Sequence, residues 1–69
     1  MFDIGDSVRT KTTMFFVEAT HPEYGEAIEV RLPKWHRFIV CGVFDDTRMV
    51  EIQLPDGYVA TLSYDDVEL

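Results

Sequence analysis

The side chains best suited to metal or nucleophilic chemistry are two histidines and one cysteine. His21, His36 and Cys41 are the candidate ligands for a soft or borderline metal ion, but no pair of them has the spacing of a metal site. His21 lies near Glu23 and Glu26, and a solvated surface histidine is the more economical interpretation there. Cys41 stands in an apolar run, which favours a small, inert core residue over a nucleophile. We therefore expect no metal site and no cofactor.

Two pairs of adjacent carboxylates, Asp45-Asp46 and Asp65-Asp66, raise the question of acid–base chemistry. Paired catalytic carboxylates need a cleft and a shifted pKa, whereas adjacent turn residues point into water in different directions. Asx turns and the cap of a helical turn explain both pairs. We therefore expect a non-enzymatic protein without catalytic residues.

The segment 31–37 is the best candidate for a binding site. It surrounds one tryptophan with basic or titratable side chains, and its proline ends a strand. Loops commonly carry recognition, and Trp and Arg are frequent hot-spot residues at interfaces. The predicted partner-binding residues of this segment are Arg31, Lys34, Trp35, His36 and Arg37. The competing interpretation is that Trp35 covers one mouth of the fold while the cations keep the loop soluble.

Size and charge limit the class of protein. The chain has 69 residues and a net charge of −7, and we expect a single domain, 1–69, because this length supports one core. With one cysteine, no signal peptide and no apolar run that could span a bilayer, we expect a cytoplasmic protein without a membrane partner. The acidic balance disfavours nucleic acid as a partner, because phosphate affinity comes from Lys and Arg.

Segments with strand patterns, separated by polar turns, predict an all-β fold. Residues 26–32 and 49–54 alternate apolar and polar side chains with period two. Residues 38–44 are apolar on both faces, so we expect both faces to be covered, with a bulge or kink at Gly42. We predict five to six short strands in a small, partly open barrel, with no helix longer than one turn.

The strand pattern also predicts the buried side chains. The expected core residues are Val50, Ile52, Ile39, Val59 and Val67. Phe15 and Phe16 are consecutive, and neighbours in a strand face opposite ways, so we expect one of them to point outwards. An exposed aromatic there would mark an interface with another protein or with a second copy. A homodimer is therefore one of the expected assemblies.

The two ends of the chain resemble bacterial SH3-like barrels. The opening Phe2-x-Ile4-Gly5-Asp6-x-Val8-Arg9 is similar to their first strand, and residues 55–69 look like their distal hairpin, single 3₁₀ turn and last strand. The resemblance implies an SH3-like barrel, a fold that hosts many functions.

Two relatives within that fold group refine the expectation. In the comparison with peptide-binding SH3 domains, Tyr64 matches the tyrosine of the 3₁₀ turn and Tyr24 can serve as the loop aromatic, so both join the predicted partner-binding residues. The tandem tryptophan of those domains is missing, and Trp35 precedes the third strand instead. The first strand is also similar to that of the SH3-like dihydrofolate reductase, but Val59-Ala60-Thr61-Leu62 replaces its Val-Gln-Ile-Tyr motif.

Three functions remain. The leading hypothesis is a non-enzymatic protein-binding module that uses the 31–37 loop and neighbouring aromatics. The second is an acidic inhibitor, similar to small phage proteins, that imitates the charge of nucleic acid and blocks a host nucleic-acid-binding protein. That hypothesis requires acids in rows on one face. The third is a ribosome- or nucleic-acid-associated module whose loop contacts phosphate and stacks a base, which the net charge disfavours.

Overall fold

The structure, a computed structural model, describes residues 2–69, which form an open, antiparallel, all-β sheet of seven strands. The strands are β1 (Ser7–Thr10), β2 (Met14–Thr20), β3 (Ala27–Leu32), β4 (Arg37–Phe44), β5 (Met49–Gln53), β6 (Val59–Ser63) and β7 (Val67–Glu68). The predicted all-β fold is confirmed, and the 3₁₀ turn Tyr64–Asp66 is the only helical element of residues 2–69. The predicted count of five to six strands is wrong, because seven segments pair in the sheet.

The strands follow the order β3-β2-β6-β5-β4-β1-β7, with β3 and β7 at the two edges. The turn 33–36 connects β3 to β4 and is tied to the end of β1. The Trp35 N–H donates to the Thr10 carbonyl (2.8 Å), and the Thr10 N–H donates to the His36 carbonyl (3.1 Å). The turn therefore joins one edge of the sheet to the strand beside the other edge. No helix within residues 2–69 is long and apolar enough to cross a membrane.

A single cluster of inward side chains forms the core. Its members are Val8, Ala19, Leu32, Phe38, Val40, Val50, Ile52, Leu54, Ala60, Leu62 and Val67. The core predictions for Val50, Ile52 and Val67 are confirmed, with exposures of 0%, 0% and 2%.

Two core predictions are wrong. Ile39 is 48% exposed, and Val59 is only partly buried. Phe38 and Val40 are the buried residues of β4, so Ile39 between them points outwards. Phe44 is exposed as well, and the expectation that both faces of 38–44 are covered is therefore also wrong.

A β-bulge interrupts β4 where the sequence predicted one. The register with β5 shifts between Val40 and Gly42, which makes Cys41 the extra residue. Gly42 lies opposite Glu51, and a Cβ atom at Gly42 would approach the Glu51 Cβ to 3.2 Å. Cys41 is only partly buried and lies outside the core cluster, so its prediction as a core residue is wrong.

A second irregularity exposes both phenylalanines of β2. The register with β3 shifts between Met14 and Val17, and an extra residue there breaks the in–out alternation. Phe15 is 61% exposed and Phe16 is 83% exposed, whereas Met14 packs partly against the core. The prediction that only one phenylalanine points outwards is wrong, and the bulge is the reason.

Thr10 is the buried polar residue of the described chain, with 0% exposure. Its hydroxyl donates to the Pro33 carbonyl (2.5 Å) and accepts from the His36 N–H (3.2 Å). Together with the backbone bonds of Thr10, these contacts fix the turn 33–36 against β1. This side chain therefore positions the residues predicted to bind a partner.

Candidate functional site

Two of the predicted cations, Lys34 and Arg37, gather with Trp35 and with an additional arginine, Arg9, from β1. The Arg9 guanidinium carbon lies 4.6 Å from the Trp35 ring centroid, and the Lys34 Nζ lies 5.0 Å from it. Arg9 is paired directly with Arg37 in the β1–β4 ladder, so the two cations share a face. We call Arg9, Lys34, Trp35 and Arg37 the Trp35 patch. Arg31 lies beside it at the end of β3 and packs on Phe15, at 5.7 Å.

The backbone of Trp35 is in the left-handed region, with φ of 66°. A bulky residue rarely adopts this conformation, which costs about 1–2 kcal/mol for a residue other than glycine. The conformation is held by the bond from the Trp35 N–H to Thr10 and by the Lys34 N–H, which donates to Thr13 Oγ1 (3.2 Å). The side chain that results is half exposed, at 50%.

Arg9 is a functional candidate that the composition of the 31–37 segment does not reveal, because it reaches this segment only through the pairing of β1 with β4. Its Nε and Nη2 atoms donate to Glu68 Oε2 at 2.8 and 2.5 Å, which directs the guanidinium over Trp35. Both side chains of this ion pair are well exposed, so it contributes no more than about 1 kcal/mol to stability. Arg37 is also oriented by β1, since its Nη1 donates to the Ser7 carbonyl (3.2 Å).

His36 lies at the border of the patch, next to an apolar hollow. Its ring centroid is 5.0 Å from that of Phe38. The hollow has a volume of about 330 Å³, and its lining includes Arg31, His36, Phe38, Leu54 and Pro55. Arg31 and His36 thus face a shared space beside the Trp35 patch.

Tyr24 lies in the loop between β2 and β3, at the opposite end of that hairpin from Leu32 and the turn 33–36. Its ring stacks on His21 at 4.5 Å. His21 Nδ1 accepts from the Glu23 and Tyr24 N–H groups (3.2 and 3.4 Å), so His21 organises the loop rather than being only solvated. The structure therefore does not bring Tyr24 to the Trp35 patch.

Tyr64 also has contacts away from the patch. Its ring lies 5.1 Å from Phe2, and the Arg48 guanidinium carbon is 5.5 Å from its centroid. The Tyr64 hydroxyl donates to Asp45 Oδ1 (2.5 Å), and this bond is the main reason that the pKa of Tyr64 is raised to about 12. Tyr64 therefore ties the 3₁₀ turn to the loop before β5.

A second concave surface lies on the outer face of β2, β6 and β5. We call it the acidic groove; its volume is about 490 Å³. Its lining residues include Phe16, Glu18, Met49, Glu51, Thr61 and Asp66. Glu18 lies directly opposite Glu29 of β3, so carboxylates from neighbouring strands share this face. No local sequence motif marks this groove, because its lining comes from three strands.

The cysteine and the aspartate pairs, the remaining candidates for chemistry, make contacts that stabilise the fold. Burial raises the pKa of the Cys41 thiol, and the Glu51 carboxylate beside it raises the pKa further. Asp46 Oδ1 accepts from the Thr47 N–H (3.0 Å), and Ser63 Oγ accepts from the Asp65 N–H (3.2 Å), as turn and cap contacts. Within residues 2–69, no three His, Cys, Asp or Glu side chains are grouped to hold a metal ion.

Comparisons of the chain with protein-family models, with curated proteins and with solved structures found no match.

Proposed function

We propose that this protein is a non-enzymatic protein-binding module that presents the Trp35 patch to an acidic segment of another protein. The observation that carries the proposal is the conformation of Trp35. A half-exposed tryptophan occupies a left-handed backbone position between two cations. Strained residues of this kind concentrate at functional sites.

The stability of the fold does not explain why a tryptophan occupies position 35. Glycine or asparagine would occupy a position with φ of 66° at lower cost. The two cation–π contacts are worth about 0.5–1 kcal/mol each at an exposed site, which offsets the backbone cost without a clear surplus. A binding role supplies the missing reason, because tryptophan and arginine are both enriched among the hot-spot residues of protein interfaces.

The charges of the patch specify the partner's chemistry. Arg9 and Lys34 lie over the half-exposed ring, Arg37 is paired with Arg9 on the same face, and Arg31 lies at the end of β3. Carboxylates of a partner can pair with these cations while an apolar or proline side chain covers the indole. Phosphate offers the same negative charge, but the net charge of −7 repels a polyanion, so an acidic protein segment is the favoured occupant.

We also propose that the sheet is an SH3-like, partly open barrel. Three features support this: β1 lies between β4 and β7, a 3₁₀ turn precedes the last strand, and the turn 33–36 bonds to the end of β1. A rigid scaffold of this kind would hold the Trp35 patch on a short, well-bonded turn, as a recognition site requires.

The experiment is a differential capture with two matched glycine variants. Trp35→Gly removes the ring from its left-handed position. Arg48→Gly makes the same backbone change at another left-handed residue, with φ of 56°, outside the patch. Each variant and the parent are immobilised, exposed to cell extract, and the retained proteins are quantified by mass spectrometry. The proposal expects a protein retained by the parent and by Arg48→Gly but lost with Trp35→Gly. If every retained protein is indifferent to Trp35→Gly, or nucleic acid accounts for the Trp35-dependent retention, the proposal is wrong.

A further inference from the structure

The acidic groove has the shape of a channel along β6. The outward residues of β6 are short (Val59, Thr61 and Ser63), and longer side chains rise from the strands on each side. Glu51 is paired with Thr61 on one side, and continuing the β2–β6 register places Glu18 beside Thr61 on the other. Two strand spacings, about 10 Å, therefore separate the backbones that form its walls.

This width selects the conformation of an occupant. An α-helix with its side chains is about 10–12 Å across and would not enter between the side chains of β2 and β5. An extended chain needs only about one strand spacing, roughly 5 Å, and fits above the short side chains of β6.

The charge of the groove selects a cationic occupant. Glu18, Glu51 and Asp66 line it, and its lining includes no Lys or Arg. The salt bridges of residues 2–69, Arg9–Glu68 and Arg48–Asp65, involve none of these carboxylates. Carboxylates placed directly opposite each other, as Glu18 and Glu29 are, destabilise a sheet, so folding alone does not account for them. A cation from a partner would relieve this repulsion.

The groove also has apolar walls. Phe16, on the β2 bulge, is 83% exposed, and Met49 forms part of the opposite wall. A flexible methionine adapts to different side chains. We propose that the acidic groove binds an extended segment of another protein in which Lys or Arg residues alternate with apolar ones. One cation would lie between Glu18 and Glu51, and apolar residues would contact Phe16 and Met49. This proposal is independent of the Trp35 patch, which lies on other strands.

The test uses calorimetry with three synthetic probes: a peptide that alternates Lys and Val, a peptide of the same length containing only Lys, and an alternating Glu–Val peptide. The parent is expected to bind the Lys–Val peptide about tenfold more tightly than the Lys-only peptide, and not to bind the Glu–Val peptide. Equal binding of the two cationic peptides would show charge attraction without a groove and would overturn the proposal, as would absence of binding.

Variants locate the binding on the groove. Glu18→Gln and Glu51→Gln are each expected to lower the affinity for the Lys–Val peptide by about tenfold, since each removes one charged partner of the peptide. Glu23→Gln makes the same charge change in the β2–β3 loop and should leave the affinity within about twofold. Equal losses for Glu23→Gln and Glu18→Gln would contradict a specific site.

The second test is a substitution that fills the groove with a large side chain. Thr61 is exposed on the floor of the groove, where a strand accepts an aromatic residue, so Thr61→Trp should fold and abolish binding. Ser7→Trp makes a similar change at an exposed position of β1 and should bind as the parent does. Should Thr61→Trp unfold, Phe16→Ser replaces it and is expected to weaken binding about fivefold. If the folded Thr61→Trp variant binds the Lys–Val peptide as tightly as the parent, the proposal is wrong. The proposal is also wrong if the parent does not bind the peptide but forms a dimer that Thr61→Trp dissociates.

Discussion

Replacing Thr10 with valine removes the hydroxyl that fixes the turn 33–36, while keeping the volume of the side chain. The hydroxyl makes two hydrogen bonds, to the Pro33 carbonyl (2.5 Å) and from the His36 N–H (3.2 Å), and Thr10 is fully buried. Each bond contributes about 1 kcal/mol net, and the polar groups left without a partner add to the cost. We therefore expect Thr10→Val to lower the free energy of unfolding by about 2–3 kcal/mol.

Thermal unfolding followed by circular dichroism measures this loss. For a domain of this size, about 2–3 kcal/mol corresponds to a fall in Tm of roughly 10–20 °C. Thr10→Ser is the matched control, because it keeps the hydroxyl and loses only a methyl group, at about 1 kcal/mol. The serine variant should therefore be more stable than the valine variant. A valine variant as stable as the parent, or more stable than the serine variant, would refute the role given to the hydroxyl.

Two further predictions concern the core and the 3₁₀ turn. Ile52 is fully buried, so Ile52→Ala should cost about 2–4 kcal/mol through lost packing and a cavity, and a Tm close to the parent's would contradict the assigned inward face. The hydrogen bond to Asp45 raises the pKa of Tyr64 to about 12, so Asp45→Asn should lower that pKa towards the ordinary value of about 10 in a phenolate absorbance titration. The pKa of Tyr64 is higher in the folded than in the unfolded chain, so the stability that Tyr64 contributes should be complete below a pH of about 10 and lost as the pH rises to about 12. A Tyr64 titration in Asp45→Asn that matches the parent's would contradict this coupling.

The sequence predicts the strands well where side chains alternate. Val50 and Ile52 are correctly placed because β5 has a clear period of two. In β4 every residue from Phe38 to Val43 is apolar or glycine, so the sequence contains no signal for the face of Ile39. The bulge at Phe15 and Phe16 was not predicted either, because the shift depends on the pairing of β2 with β3.

The sequence predicts only those residues of the candidate site that are close together in the chain. Lys34, Trp35 and Arg37 are close in the chain, so their composition points to a binding loop. Arg9 and Thr10 reach the same place through the pairing of β1 with β4 and through bonds to the turn 33–36, which no local pattern reveals.

The rival hypotheses also depend on how strands pair. The acidic inhibitor hypothesis requires acids in rows. Glu18, Glu29 and Glu51 share one face of the sheet, while Asp45 and Asp65 lie in turns. That hypothesis stays a prediction, and it expects binding to be lost when Asp45 and Asp46 or Asp65 and Asp66 are neutralised, and to be unaffected by truncation of Trp35.

The most direct test of the central claim is to measure affinity and Tm together for Trp35→Gly against the purified partner from the differential capture. We expect binding to weaken by at least about 2 kcal/mol, roughly thirtyfold, as truncation of a hot spot does. Relief of the left-handed backbone partly offsets the lost cation–π contacts, so the stability should change by no more than about 1–2 kcal/mol. Arg48→Gly should retain the affinity of the parent. A folded Trp35→Gly variant with unchanged affinity would contradict the binding role, and a loss of stability of about 3–5 kcal/mol would instead make Trp35 a core residue of the fold.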